Sequence, residues 1–222
     1  MSCKPGSSQE APFAATAATR ARIVVLCMLS LVLAASRAEA ARPPNVVFFL
    51  ADDLGWSDTT LYGTTSFYET PNIARLAKQG VRFSQAYAAC HVCSPTRASI
   101  LSGKYPARLH LTDWLSGRRN FGFQRLLNAQ IHQRLPLKEL TLAEALKKHG
   151  YATGHYGKWH LGEDPAGPLQ QGFDVQVPRW NKGWPRAGYH APFRLDGLKD
   201  SKGDYLTDRL TDEAIGFIER NK

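Results

Sequence analysis

Apolar and polar positions change period several times along the chain. NVVFFL, residues 45–50, is a continuous apolar run rich in β-branched and aromatic side chains. That pattern predicts a strand buried on both faces of a parallel sheet. VRFSQAYAA (81–89) reads as a second strand, and YATGHYGKWHLG (151–162) as a third that runs into a loop. Helix signals lie between and after them. TPNIARLAKQG offers Thr70 as N-cap, Pro71 at the first helical position and Gly80 as the stop. PTRASILSG predicts a helix from about Pro95 to Gly103. TLAEALKKHG sets Thr141 and Glu144 at capping-box spacing and ends on Gly150. In the last segment Leu206, Leu210, Ala214, Phe217 and Ile218 share one helical face. Pro165 to Asp204 is dense in Gly, Pro and aromatics without clear period, and is expected to be a long folded surface loop.

Strands alternating with helices predict an α/β fold with a mainly parallel sheet. Ligands of such sheets bind beyond the carboxyl ends of the strands. The first strand delivers Asp52 and Asp53 there, and the third delivers Lys158 and His160. The sequence stops just after a helix, where a further strand is expected, so the fold reads as incomplete at its C-terminal end.

The first forty residues read as a leader. Arg20 and Arg22 precede an apolar run from Ile23 to Ala35, and small residues follow at Ala38 and Ala40. This is the layout of a secretory signal peptide, expected to be cut after Ala40 and to leave 41–222 as the folded part. A membrane anchor is the other reading, but the run is short for a stable span. The net charge of +9 includes Lys4, Arg20, Arg22 and Arg37 against Glu10 and Glu39 in that leader, so +7 remains. A basic exported domain suits anionic partners. Export and the lack of a Lys/Arg-rich run argue against nucleic acid. Of the four cysteines only Cys90 and Cys93 lie outside the leader, too few for a disulfide framework.

Three short constellations carry possible chemistry. Asp52-Asp53 at a strand end repel unless a cation or donors compensate, and a hard divalent ion does so economically. A DD pair also serves as a turn or a helix cap. In GKWHLG, Lys158 and His160 are two apart, so on an extended segment both face one side. Taken alone, the same stretch reads more readily as a surface loop with Trp159 as a core anchor. Cys90 and Cys93 fit none of the usual CxxC roles. Zinc needs four ligands, haem attachment needs a His where Ser94 stands, and a redox pair belongs elsewhere in the chain. What remains is Cys93 just before a helix N-terminus, where the dipole favours anions, with Arg97 one turn on.

CSPTRASILSG from Cys93 to Gly103 resembles the signature of type I, formylglycine-dependent sulfatases. GYATGHYGKWH (150–160) resembles their second signature, NVVFFLADDLGW (45–56) their opening metal strand, and QGFD (171–174) is also similar. The four stretches span nearly the whole mature chain in the family's order. Small departures, His91 before Val92, Ser102 and Tyr156, fall away from the matched catalytic positions.

The resemblance implies an alkaline-phosphatase-like α/β fold and hydrolysis of sulfate esters, plausibly on carbohydrate. Cys93 would be oxidised during export to formylglycine by a maturation enzyme that reads C-x-P-x-R. One hydroxyl of the hydrated aldehyde would attack sulfur and release the alcohol. The second would lose its proton as the aldehyde re-forms and sulfate leaves. Asp52, Asp53 and the group at Cys93 would ligate one Ca2+. Arg97 would orient the diol, Lys158 would bind sulfate oxygens and His160 would accept the second hydroxyl's proton. The family pattern also includes an Asp-Asn pair, a second His and a second Lys, which are not found in the sequence. Two other readings stay open: a formylglycine-dependent phosphonate or phosphodiester hydrolase, and a non-catalytic anion- or glycan-binding remnant. The expected compartment is periplasmic, extracellular or lysosomal, with no stable membrane span.

Overall fold

The computed structural model describes residues 43–222, with Arg22 alone before them. The leader expected over residues 1–40 lies outside the described residues. The chain divides into two units, Met1–Phe48 and Phe49–Lys222. In the first, residues 43–48 form no helix or strand. The second carries all the elements that follow.

After two 3-10 turns, Trp56–Asp58 and Thr60–Tyr62, come α1 (Pro71–Gln79), α2 (Cys93–Ser102), α3 (Pro106–Leu109) and α4 (Leu142–Lys148). Then come β1 (Gly154–Tyr156), a 3-10 turn (Pro168–Gln171), β2 (Val175–Val177) and α5 (Leu206–Asn221). β1 and β2 pair in parallel, with Gly154 opposite Val175 and Tyr156 opposite Val177. No membrane-length apolar helix occurs among the described residues.

The helices follow local chemistry. Thr141 and Glu144 close the capping box at the start of α4: Glu144 N–H donates to Thr141 Oγ1 at 3.1 Å, and Thr141 N–H to Glu144 Oε2 at 2.8 Å. α2 begins at Cys93, two residues before Pro95, and ends at Gly103 in the left-handed region (φ 66°). Thr70 precedes α1, but its hydroxyl accepts from Thr60 N–H at 2.9 Å instead of capping the helix.

The strands depart from the sequence expectation. NVVFFL forms no strand, and Phe49 is 82% exposed. VRFSQAYAA forms none either, with Val81 82% and Tyr87 86% exposed. An apolar run becomes a strand only when a neighbouring strand takes its N–H and C=O groups, and among the described residues no strand pairs with either run. The third strand holds only at Gly154–Tyr156. The expected loop at 165–204 instead contributes a 3-10 turn and β2, so the parallel pair is built partly from a stretch without apolar period.

Two cores hold the second unit. Ala98, Leu109, Leu111, Leu135, Trp159 and Leu161 form one. Val177, Phe193, Leu195, Leu198 and Leu206 form the other, with Leu210 against it. On α5, Leu206 is buried and Phe217 meets Tyr156, while Ile218 at the end of the face is exposed.

QGFD clasps these parts together. Buried Gln171 donates Nε2–H to Leu135 O at 3.0 Å and accepts Thr141 Oγ1–H on its backbone carbonyl at 2.7 Å. Gly172 has φ +95°, and a Cβ there would lie 2.6 Å from Glu144 N. Phe173 packs edge-on against Trp159 and His155. Asp174 Oδ2 accepts from Thr153 N–H at 2.9 Å and from its hydroxyl at 3.0 Å. The segment therefore fixes the strand that leads to Lys158 and His160.

Two outcomes follow. Gly172→Ala meets both a forbidden φ and a backbone clash, so it should cost about 2 kcal/mol or more. Urea unfolding should show a lower midpoint with an unchanged slope, and an unchanged midpoint would contradict the clasp. His155 is half-buried, with the Trp159 and Phe173 rings edge-on to it, and burial lowers its pKa from 6.5 to about 4. Folding thus favours the neutral ring. Its contribution, about 3 kcal/mol, should be complete above pH 6.5 and vanish as pH falls towards 4. Comparing the wild type with His155→Gln across that window should show a smaller pH dependence for the variant, and parallel curves would contradict the assignment.

Candidate functional site

Helix α2 brings Cys93 to its first position and Arg97 one turn later, on the same side. Two residues past β1 the chain supplies Lys158, and Trp159 turns into the core. The indole is 1% exposed and donates Nε1–H to Ala166 O at 2.9 Å. Trp159 therefore anchors the segment in the core, and the residues on either side of it lie against Asp52 and Cys93. The reason is not simple strand alternation, because His160 is left-handed (φ 56°). Its backbone is held by His160 N–H to Asn181 O at 3.1 Å and, one residue on, by Leu135 N–H to Leu161 O at 2.9 Å.

Cys93 Sγ lies 3.2 Å from His160 Nδ1. On the far side of the ring, His160 Nε2 lies 2.7 Å from Leu115 O. A carbonyl can only accept, so Nε2 carries the proton and the neutral ring's lone pair faces Cys93. Burial lowers the His160 pKa; Lys158 and Arg97 act in the same direction, against the Leu115 carbonyl and Asp52. The imidazole is thus kept neutral near pH 7, as a proton acceptor must be.

Asp52 is the counter-charge. Its Oδ2 pairs with Lys158 Nζ and lies 3.8 Å from Arg97 Nη2. Arg97 is largely buried, and its Nη1–H donates to Lys158 O at 2.6 Å. Burial lowers the Arg97 pKa, and the charges of Asp52 and Cys93 oppose that shift. The result is two cations, a neutral base and a thiol around one point, an arrangement suited to an anionic group under nucleophilic attack.

The structure therefore joins Asp52, Cys93, Arg97, Lys158 and His160. Asp53 is not joined: it is exposed, has a left-handed backbone (φ 58°), and makes no hydrogen bond or ion pair among the described residues. Nor do the described residues gather three His, Cys, Asp or Glu groups able to hold a metal ion. Two adjacent carboxylates suit calcium in kind, but not in number against the six to eight oxygens it takes. Cys90 and Cys93 are both free thiols. Cys90 N–H donates to Thr96 Oγ1 at 3.2 Å, and Thr96 Oγ1–H donates to Cys90 O at 2.8 Å, which ties the approach to α2.

Sequence reasoning missed the groups that hold His160: the Leu115 carbonyl, the Asn181 carbonyl and Gly183. A Cβ on Gly183 would lie 2.7–3.1 Å from the imidazole atoms. Backbone groups carry no residue signature; only the glycine between Lys182 and Trp184 was available as a signal of close approach.

These features define an α/β protein that gathers a thiol at a helix N-terminus, an imidazole, two cations and a carboxylate close to a parallel strand pair. The Sulfatase family profile matches residues 44–222. Human arylsulfatase A is 43% identical over 148 residues, covering 65% of this chain and 27% of the relative. Human N-acetylgalactosamine-6-sulfatase is 35% identical over 199 residues, covering 82% and 37%. The crystal structure of Ps i-CgsB superposes with a TM-score of 0.62 at 28% identity, covering 81% of this chain and 42% of that one. The chain belongs to the sulfatase family, and its fold is of the alkaline-phosphatase-like class. It spans less than half the length of each of these relatives.

Gly183→Ala should push the imidazole away from Cys93. Iodoacetamide should then alkylate Cys93 more slowly, by about threefold or more relative to Cys90 in the same sample, since the neighbouring base assists thiolate formation. An unchanged Cys93-to-Cys90 ratio would contradict the packing described.

Proposed function

We propose that this chain is the nucleophile-bearing part of an exported sulfatase that hydrolyses sulfate esters of carbohydrates. The observation that carries the reading is the contact of Cys93 with the unprotonated nitrogen of His160, beside Arg97 and Lys158. Family membership supports the same chemistry. The name of the N-acetylgalactosamine relative supports a sulfated sugar as the substrate class.

In this reading a maturation enzyme of the export pathway converts Cys93 to formylglycine, whose hydrate supplies the attacking oxygen. The other roles belong to residues of the chain. The α2 N-terminus and Arg97 favour negative charge at position 93. Lys158, now paired with Asp52, is placed to take a sulfate oxygen as its partner. Nδ1 of His160 accepts the proton released at position 93 when sulfate is expelled. The family's calcium would draw on Asp52, Asp53 and the group at position 93, with the remaining oxygens from elsewhere. When bound it would polarise a sulfate oxygen.

The test uses the product of the gene's full reading frame, made together with the maturation enzyme. Aryl sulfate turnover should exceed aryl phosphodiester turnover. Cys93→Ala should abolish it, and His160→Ala should lower kcat by about 10²–10⁴. Faster phosphodiester turnover would replace the proposal with the diesterase reading. Binding of sulfated glycans without any turnover would replace it with the glycan-binding one.

A further inference from the structure

Ser94 follows the nucleophile directly and is completely buried. Its Oγ accepts the Leu115 N–H at 3.1 Å. The same residue's carbonyl accepts the His160 Nε2–H at 2.7 Å, and His160 Nδ1 faces Cys93 Sγ at 3.2 Å. A circuit thus runs from Cys93 through the peptide link to Ser94, across to Leu115, on to His160 and back to Cys93. We infer that Ser94 is a positioning residue: it holds the Leu115 backbone so that the carbonyl fixes the His160 tautomer, with the lone pair towards position 93.

The physical case rests on the ends of the circuit. Leu115 O offers no proton, so its position decides which ring nitrogen is the donor. Leu115 is itself held by the Ser94 hydroxyl on its N–H. Without the hydroxyl that N–H loses its partner, which costs enough to move a loop segment. Ser99, on the same helix, provides a built-in control. Its Oγ is buried with no partner among the described residues, so its removal touches no such circuit.

The inference rests on reading Cys93 and His160 as nucleophile and proton acceptor, but its test needs no turnover. The 222-residue chain, with Cys93 as a thiol and with 15N-labelled histidine, is observed by long-range 1H–15N correlation near neutral pH. The wild type should show His160 as a single Nε2–H tautomer. Ser94→Ala should mix in the Nδ1–H form and slow iodoacetamide alkylation of Cys93 relative to Cys90 by about threefold to tenfold. Ser94→Thr, which keeps the hydroxyl, should restore both readouts, and Ser99→Ala should change neither. A Ser94→Ala chain with the wild-type tautomer and ratio would overturn the inference, and so would a Ser94→Thr chain that folds but behaves like Ser94→Ala. If the tautomer result holds while the full gene product hydrolyses no sulfate ester, the functional reading fails and the positioning role stands.

Discussion

The burial of one indole governs the geometry of the site. Trp159 is enclosed by Leu109, Leu111, Leu135 and Leu161, and its N–H is satisfied by Ala166 O. Full burial of a side chain this large contributes several kcal/mol, more than any single contact in the site. With the indole fixed, Lys158 and His160 have little freedom in where they emerge. QGFD reinforces the same point through Phe173, which packs on the indole, and Asp174, which ties down Thr153 at the start of β1. Residues far from the nucleophile thereby set the 3.2 Å approach of His160 to Cys93.

Charge balance is the second constraint. Arg97 is largely buried, and an uncompensated guanidinium there would be costly. Asp52 offsets part of that cost and also engages Lys158. The two cations are thus held close together by one carboxylate, in a region whose imidazole burial keeps neutral. An anionic ester entering such a place meets positive charge already oriented, and a base that need not first lose a proton.

Much of this was legible in the sequence, for reasons that differ by element. α4 was readable because its signals are local: Thr141 and Glu144 bond each other's backbone within one turn. α5 declared itself through the period of Leu206, Leu210 and Phe217. Strands are stabilised by partners distant in sequence, so NVVFFL and VRFSQAYAA had the right composition yet find no strand partner among the described residues, whereas Val175–Val177 pairs from within an aperiodic stretch. Asp52, Cys93, Arg97, Lys158 and His160 could be singled out in the sequence because their side chains are charged, titratable or nucleophilic, and the fold brings them together. Asp53 was grouped with them by adjacency and by the resemblance of its strand, and it stands exposed with no partner among the described residues. The carbonyls of Leu115 and Asn181 were invisible, since every residue has one and only the fold selects which is used.

The chemical identity of position 93 is the point on which the account turns. Peptide mass spectrometry of exported protein, produced with the maturation enzyme and probed with an aldehyde-specific hydrazide, reads it directly. The account predicts that position 93 has lost sulfur, carries an aldehyde and forms the hydrazone, while Cys90 remains a thiol. Protein in which Cys93 stays a thiol or is found only in a Cys90–Cys93 disulfide, while a control substrate of the same maturation enzyme is converted, would contradict it.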